Sequence, residues 1–159
     1  MVSVEGIDRM ISEHPFFSGM EPGYQAMIAG CASNQSFEAG QYLIREGDNA
    51  DHFYLIRHGA VAIEVHTQGQ TSVTLETLHE GDVLGWSWLV PPYHWLFDAR
   101  AIQLTRVIAI DAACLREKAE ADHSLGYELY SRIMPVMSER LSAARLRLLD
   151  LYGSPRKGQ

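Results

Sequence analysis

Five histidines, His52, His58, His66, His79 and His94, are the residues of this chain best suited to holding a metal or moving a proton. A small β barrel can gather such side chains into a catalytic metal site. Here they are spread across separate segments without closely spaced glutamates, and His52 and His58 flank an apolar run, Phe53 to Ile56. Scattered surface histidines, and no metal site, are the expectation. The two cysteines, Cys31 and Cys114, lie 83 positions apart with no second pair. That spacing gives neither a disulfide framework nor a zinc pattern, so both are expected as buried or inert thiols. The chain contains no Gly-x-Ser-x-Gly elbow, phosphate-binding glycine loop or Cys–His arrangement. Nucleophilic catalysis has no support, and neither enzymatic activity nor a cofactor is expected.

An aromatic segment is the least ordinary feature. All three tryptophans, Trp86, Trp88 and Trp95, lie in "WSWLVPPYHWLF" beside Tyr93, His94 and Phe97. Large rings supply much contact area at low rotamer cost and dominate buried sites and interfaces alike. Three uses stay open. The rings fill an interior, they line a pocket for a flat or apolar ligand, or the Pro91-Pro92 loop presents them to a protein partner. For the pocket, the candidate lining is Gly85, Trp86, Ser87, Trp88, Leu89, His94, Trp95 and Arg100, with Ser87, His94 and Arg100 as polar handles.

The composition narrows the partners. The 159 residues, 47% of them apolar, suit one domain burying roughly two-thirds of its unfolded surface. Thirteen Lys and Arg against twenty Asp and Glu leave a net charge of −7, which repels phosphate backbones. No nucleic-acid partner is expected. No apolar leader opens the chain and no long uncharged apolar stretch follows, so neither a membrane partner nor export is expected and a cytoplasmic location is.

These residues must be positioned by elements with different periods. Ile7, Met10 and Ile11 predict a short amphipathic helix that stops before His14-Pro15. Pro22 suits the first turn of a second helix, expected to end around Ala32 to Asn34. Residues 1–35 thus form an N-terminal helical part. From Ser36, short apolar runs punctuated by Gly40, Gly47, Gly59, Gly69 and Gly81 predict an antiparallel β region over 36–110. Val61, Ile63 and Val65 alternate with Ala62, Glu64 and His66, predicting one buried and one wetter face. Leu104 to Ile110 closes the region. Helices return over 111–152, with Asp111 as N-cap. Within them Met134, Met137, Leu141, Ala144, Leu148 and Leu151 recur at alternating steps of three and four, an a/d seam that suits either a helix lying on its own domain or, the preferred reading, a homodimer. Pro135 predicts a kink or break near Ile133. Arg140, Arg145 and Arg147 are expected on a solvated face beside the seam. The tail, 153–159, is polar and expected to be mobile.

The string "FEAGQYLIREGDNADHFYLIRHGAVAIEV", Phe37 to Val65, with "GDVLG" at Gly81 to Gly85 and "LTRVIAI" at Leu104 to Ile110, resembles the cyclic nucleotide-binding domain family. The likeness extends from about Ser12 to Leu151 and is closest to the effector half of catabolite-activator-type regulators. It implies a mainly β, α+β fold: an antiparallel jelly-roll barrel, or double-stranded β-helix, flanked by N-terminal helices and a long C-terminal helix that often pairs subunits. It also implies a pocket in which a short helix faces a cyclic phosphate, an arginine neutralises that phosphate, and a glutamate accepts the ribose hydroxyl.

The chain departs at both anchors. Gly85-Trp86-Ser87-Trp88-Leu89 stands where the family has Gly-Glu-apolar-small-Leu, so Trp86, which can only donate, replaces the glutamate. Counting eleven residues back from Arg106 places Trp95 where the family has its arginine. Losing one partner of a buried charged pair costs about 2–5 kcal/mol, or about 30- to several-thousand-fold in affinity. The expectation is a stand-alone sensory or regulatory module, without a helix-turn-helix, that does not take ordinary cyclic AMP or cyclic GMP. An unidentified small ligand or a protein partner remains open. One alternative is a genuine cyclic-nucleotide receptor with a rewired phosphate site, using His94 or Arg100. The other is a small metal-dependent, cupin-like enzyme.

Overall fold

The computed structural model describes residues 4–69 and 71–152. The expected mobile tail lies outside them. Helix α1 (Val4–Glu13) buries Ile11 and ends at the His14-Pro15 step; helix α2 (Pro22–Ala29) begins with its proline and is capped by Gly30. Eight strands follow: β1 (Ala32–Phe37), β2 (Tyr42–Ile44), β3 (His52–His58), β4 (Ala60–His66), β5 (Ser72–His79), β6 (Val83–Leu84), β7 (Asp98–Ala101) and β8 (Thr105–Asp111). They form two four-stranded antiparallel sheets, ordered β1-β8-β3-β6 and β2-β7-β4-β5, the mainly β jelly roll that was expected. Helices α3 (Ala112–Ala121) and α4 (His123–Tyr152) complete the chain.

Strand β1 starts four residues before the expected onset at Ser36, where a helix end was anticipated. Its sequence, ASNQSF, shows no apolar alternation because it is an edge strand with mostly exposed side chains. Its place comes from the ladder to β8, Ala32 opposite Ile110 through Phe37 opposite Thr105. The expected wetter face of β4 is also corrected. Ala60 to Glu64 are all buried, because β4 lies between β5 and β7 and the Arg100 side chain bonds Glu64.

The hairpin between β3 and β4 turns at Gly59, with φ of +105°. A side chain there would collide with the Leu104 carbonyl and Thr105, so the turn packs directly on the β7–β8 connection. Helices α1 and α2 lie against β1, and α3 against β3 and β8. One contiguous apolar core runs through both layers, from Ile11 and Phe17 through Phe53, Leu55, Val61 and Ile108 to Leu115, Leu125 and Ile133.

Two further expectations are overturned. Cys31 and Cys114 are not free thiols: they form a disulfide, their Cα atoms 5.8 Å apart. The β1–β8 ladder carries the end of α2 to the start of α3, a proximity that linear spacing hides. Second, of the kink or break expected near Ile133, the break is not there: α4 runs unbroken through Pro135, and the helical break comes at Asp122. Asp122 Oδ1 accepts from the backbone N–H groups of Ser124 and Leu125, starting α4 afresh. Proline tolerance follows from position. Pro135 and Ser131, whose carbonyl the proline leaves unbonded, both line an open groove where water can serve that carbonyl, while Ile133 stays buried.

Candidate functional site

The segment from Gly85 to Phe97 has two parts. Gly85 follows β6 with φ of +90° and leads into a single 3-10 turn, Ser87–Leu89. The Trp95 indole lies directly on Gly85, inside the distance at which any Cβ could be tolerated, and is only 4% exposed. The space above Gly85 is therefore occupied by a side chain of the protein itself.

Backbone pairing pins this plug. Trp95 N–H donates to the Asp48 carbonyl at 2.9 Å, Gly47 N–H donates to the Trp95 carbonyl at 2.8 Å, and Ala50 N–H donates to the Tyr93 carbonyl at 2.7 Å. The Gly47-Asp48 turn and the aromatic segment thus hold each other. Tyr93, in the left-handed region at φ of +61°, presents its ring to the Arg116 guanidinium, 4.2 Å from the ring centroid. Arg116 also donates to the Trp88 carbonyl at 2.6 Å. This clamp from α3 has no local sequence signal, because Arg116 lies 28 positions from Trp88.

The other predicted residues separate. Trp88 is wholly buried, stacked on Phe53 with centroids 4.1 Å apart and planes at 3°. Its Nε1 meets no protein acceptor among the described residues, so the ring contributes through area rather than polarity. Ser87 is buried and Leu89 is half-buried against the core. Trp86 is half-exposed and faces α4, where the Arg140 guanidinium lies 5.4 Å from its centroid. His94 is exposed. Arg100 is not among them: it lies beside Glu64, Nε to Oε1 and Nη2 to Oε2 both at 3.0 Å. In register, Arg100 stands opposite Tyr42 and Ala62, and Asp98 opposite Glu64, so these residues share one face of the second sheet. Ala99 and Ala101, on the alternate parity, are fully buried. The hydrogen bonds from Arg100 hold the Glu64 carboxyl below the usual carboxylate range.

Two open clefts border the site. One, of about 350 Å³, is lined by Ile44, Arg45, Asp48, Asn49, His52 and the flank of Trp95. The other, of about 580 Å³, runs between the β5–β6 connection and α4. Across it Arg140 donates to the Val83 carbonyl, pairs with Glu76 at 3.5 Å and covers Trp86. At 14% side-chain exposure it is not the solvated residue expected beside the seam. The acidic group that draws it in lies on β5 and the aromatic one just after β6, both more than fifty residues earlier. No three His, Cys, Asp or Glu among the described residues are placed to hold a metal.

Helix α4 presents two faces. Leu125, Leu129 and Ile133 enter the core. Met134, Leu141, Ala144 and Leu148 of the predicted seam are exposed and Met137 is half-buried; the Leu151 side chain lies outside the described set. Tyr127 and Tyr130, 73% and 52% exposed, continue the same three-four rhythm toward the N-terminus. Their spacing was available in the sequence, but aromatic rings are uncommon at seam positions.

A family model described as cyclic nucleotide-binding domain matches residues 34–122. The chain belongs to the cyclic nucleotide-binding domain family. Among curated relatives it is 38% identical over 52 residues to the cAMP-dependent protein kinase regulatory subunit of Emericella nidulans, covering 33% of this chain and 13% of that protein. It is 25% identical over 125 residues to the HTH-type transcriptional regulator Cmr of Mycobacterium tuberculosis, covering 79% of this chain and 49% of the regulator. The chain thus spans half or less of the length of these curated relatives. A crystal structure from Geobacter metallireducens GS-15, described as that of a cyclic nucleotide-binding protein, superposes with a TM-score of 0.74 at 28% identity, covering 89% of this chain and 99% of that one. Both curated relatives of this cyclic nucleotide-binding domain are named as regulatory proteins. No helix among its described residues is long and apolar enough to cross a membrane.

Proposed function

We propose that this domain is a regulatory module whose nucleotide cradle is filled from within, so that it does not recognise cyclic AMP or cyclic GMP, and whose output is carried by α4 in a homodimer. The observation that carries the reading is the Trp95 indole seated on Gly85, where the family resemblance puts the phosphate-binding arginine. Two penalties add. A cyclic phosphate entering the cradle finds no guanidinium there, since Arg100 is bonded to Glu64 on another face. It must also expel a buried indole, and exposing a ring of that size costs about 4 kcal/mol, roughly a thousandfold in affinity.

The output reading rests on the exposed apolar stripe from Tyr127 to Leu148, whose period suits a second copy of the same helix. The test of the nucleotide claim is titration of the full chain with cyclic AMP and cyclic GMP. Tryptophan fluorescence and calorimetry should show no saturable signal up to about millimolar ligand. Saturation at micromolar concentrations, abolished by Trp95→Ala, would instead establish a receptor with a rewired phosphate site.

A further inference from the structure

We infer that the Cys31–Cys114 disulfide is a redox-cleavable clip that sets how firmly α3, and with it the start of α4, is attached to the N-terminal helices. This goes beyond the proposed function and does not depend on the state of the nucleotide cradle or on dimerisation.

The bond sits at a junction on the rim of the core, with Cys31 in the apolar cluster and Cys114 packed against it. Cys31 sits between the end of α2 and the start of β1, and Cys114 in the first turn of α3. Cys31 is buried, at 8%, whereas Cys114 is only half-buried at the edge of the core, which makes its side of the bond the one nearer solvent. Disulfides that are accessible in the native state are the ones open to thiol exchange. The surroundings persist without the bond. Asp111 N–H donates to the Cys31 carbonyl at 2.9 Å, the Asp111 side chain accepts from Cys114 N–H at 2.9 Å, and the six-pair β1–β8 ladder ends beside them. Cutting the bond therefore leaves the strands in place and removes one tether between two helices. The remaining α2–α3 tie of note is Lys118 Nζ donating to the Met27 carbonyl at 2.7 Å, a single flexible side chain at the open end of α2.

The chemistry needs a dithiol as co-reactant. One thiolate of the dithiol attacks the Cys114 sulfur, the Cys31 sulfur leaves as thiolate and takes up a proton, and a mixed disulfide forms at Cys114. The second thiol of the reductant then displaces the Cys114 thiolate, which is protonated in turn. Two electrons pass to the protein, and the reductant ends as its own disulfide.

The test compares the full chain oxidised, reduced with about millimolar dithiothreitol, and as Cys31→Ala/Cys114→Ala, by hydrogen exchange and by mass after thiol alkylation. The expected result is complete reduction without denaturant. Exchange in α3 and the last turn of α2 should rise at least about tenfold, with β3, β4 and β8 changing less than about twofold, and the double variant should match the reduced protein in either buffer. Three results would overturn the inference: reduction only in denaturant, equal exchange in both redox states, or faster exchange throughout the strands, which would make the bond a structural staple.

Discussion

Trp95 and Gly85 make one unit, and each explains the other. Gly85 needs its positive φ for the turn after β6, and the absence of a Cβ lets the outer edge of the indole come up against the backbone. Trp95→Ala should lower stability by about 3–5 kcal/mol in urea melts, because a buried ring leaves a void that the pinned 47–50 turn cannot collapse into. Trp86→Ala, from a half-exposed position, should cost clearly less. That both family anchors had become tryptophans was readable in the sequence. Which of the two rings would enter the cradle was not, since this depends on the pairing of Trp95 with Asp48 and on Arg140 holding Trp86 against α4. The direction of Arg100 was not readable for a similar reason: strand parity decides it, and parity was visible only once β7 was registered against β4.

Among the elements, α4 carries the clearest division of labour. Its early turns are fixed by Leu125, Leu129 and Ile133, and its middle by Arg140 reaching Glu76 and the Val83 carbonyl. Burial lowers the pKa of the Arg140 guanidinium, and Glu76 and Asp82 act against that shift. Folding Arg140 onto the roll also removes a cation from the flank of the seam, leaving Arg145 and Arg147 there. Met134→Glu and Leu141→Glu should each convert a dimer into a monomer in sedimentation at tens of micromolar, with unchanged melting of the roll. A monomeric parent protein would refute the dimer. The exposed apolar stripe was legible because period alone defines it. Strand β1 was not, because an edge strand of Ser, Asn and Gln is specified by its neighbour's hydrogen bonds rather than by its own side chains.

At the level of the complete chain, His14 joins the N-terminal helices to the roll. It is buried; its Nδ1 accepts from Phe16 N–H at 3.2 Å and its Nε2 donates to the Ile56 carbonyl at 3.2 Å, which fixes the neutral imidazole. Burial is the main cause that lowers its pKa; the Ile56 bond and Asp82 oppose the shift, and Arg57 adds to it. The neutral form is therefore favoured on folding. The stability it contributes is present above the ordinary histidine value of 6.5 and is lost as pH falls below that toward the folded value. Urea midpoints should decline from pH 7.5 to about pH 5, and His14→Asn should flatten that slope while lowering the plateau. Glu64, whose pKa is also lowered, acts in a separate window below its ordinary 4.5. The overall architecture was readable from spaced glycines and alternating runs, which are local. The disulfide, the Arg116 clamp and the His14 link were not, because each joins segments that only the completed roll brings together.

The thirty residues of α4 make a rod about 45 Å long. Leu125, Leu129 and Ile133 anchor its early turns and Arg140 its middle, and it starts afresh at the Asp122 joint. A tilt of about 5° at that joint would sweep the distal end by about 4 Å, roughly three-quarters of a turn's rise. Small repacking beside Leu125 and Leu129 is thereby magnified where Leu148 sits, so a disturbance too slight to alter the roll can still change what the far end meets.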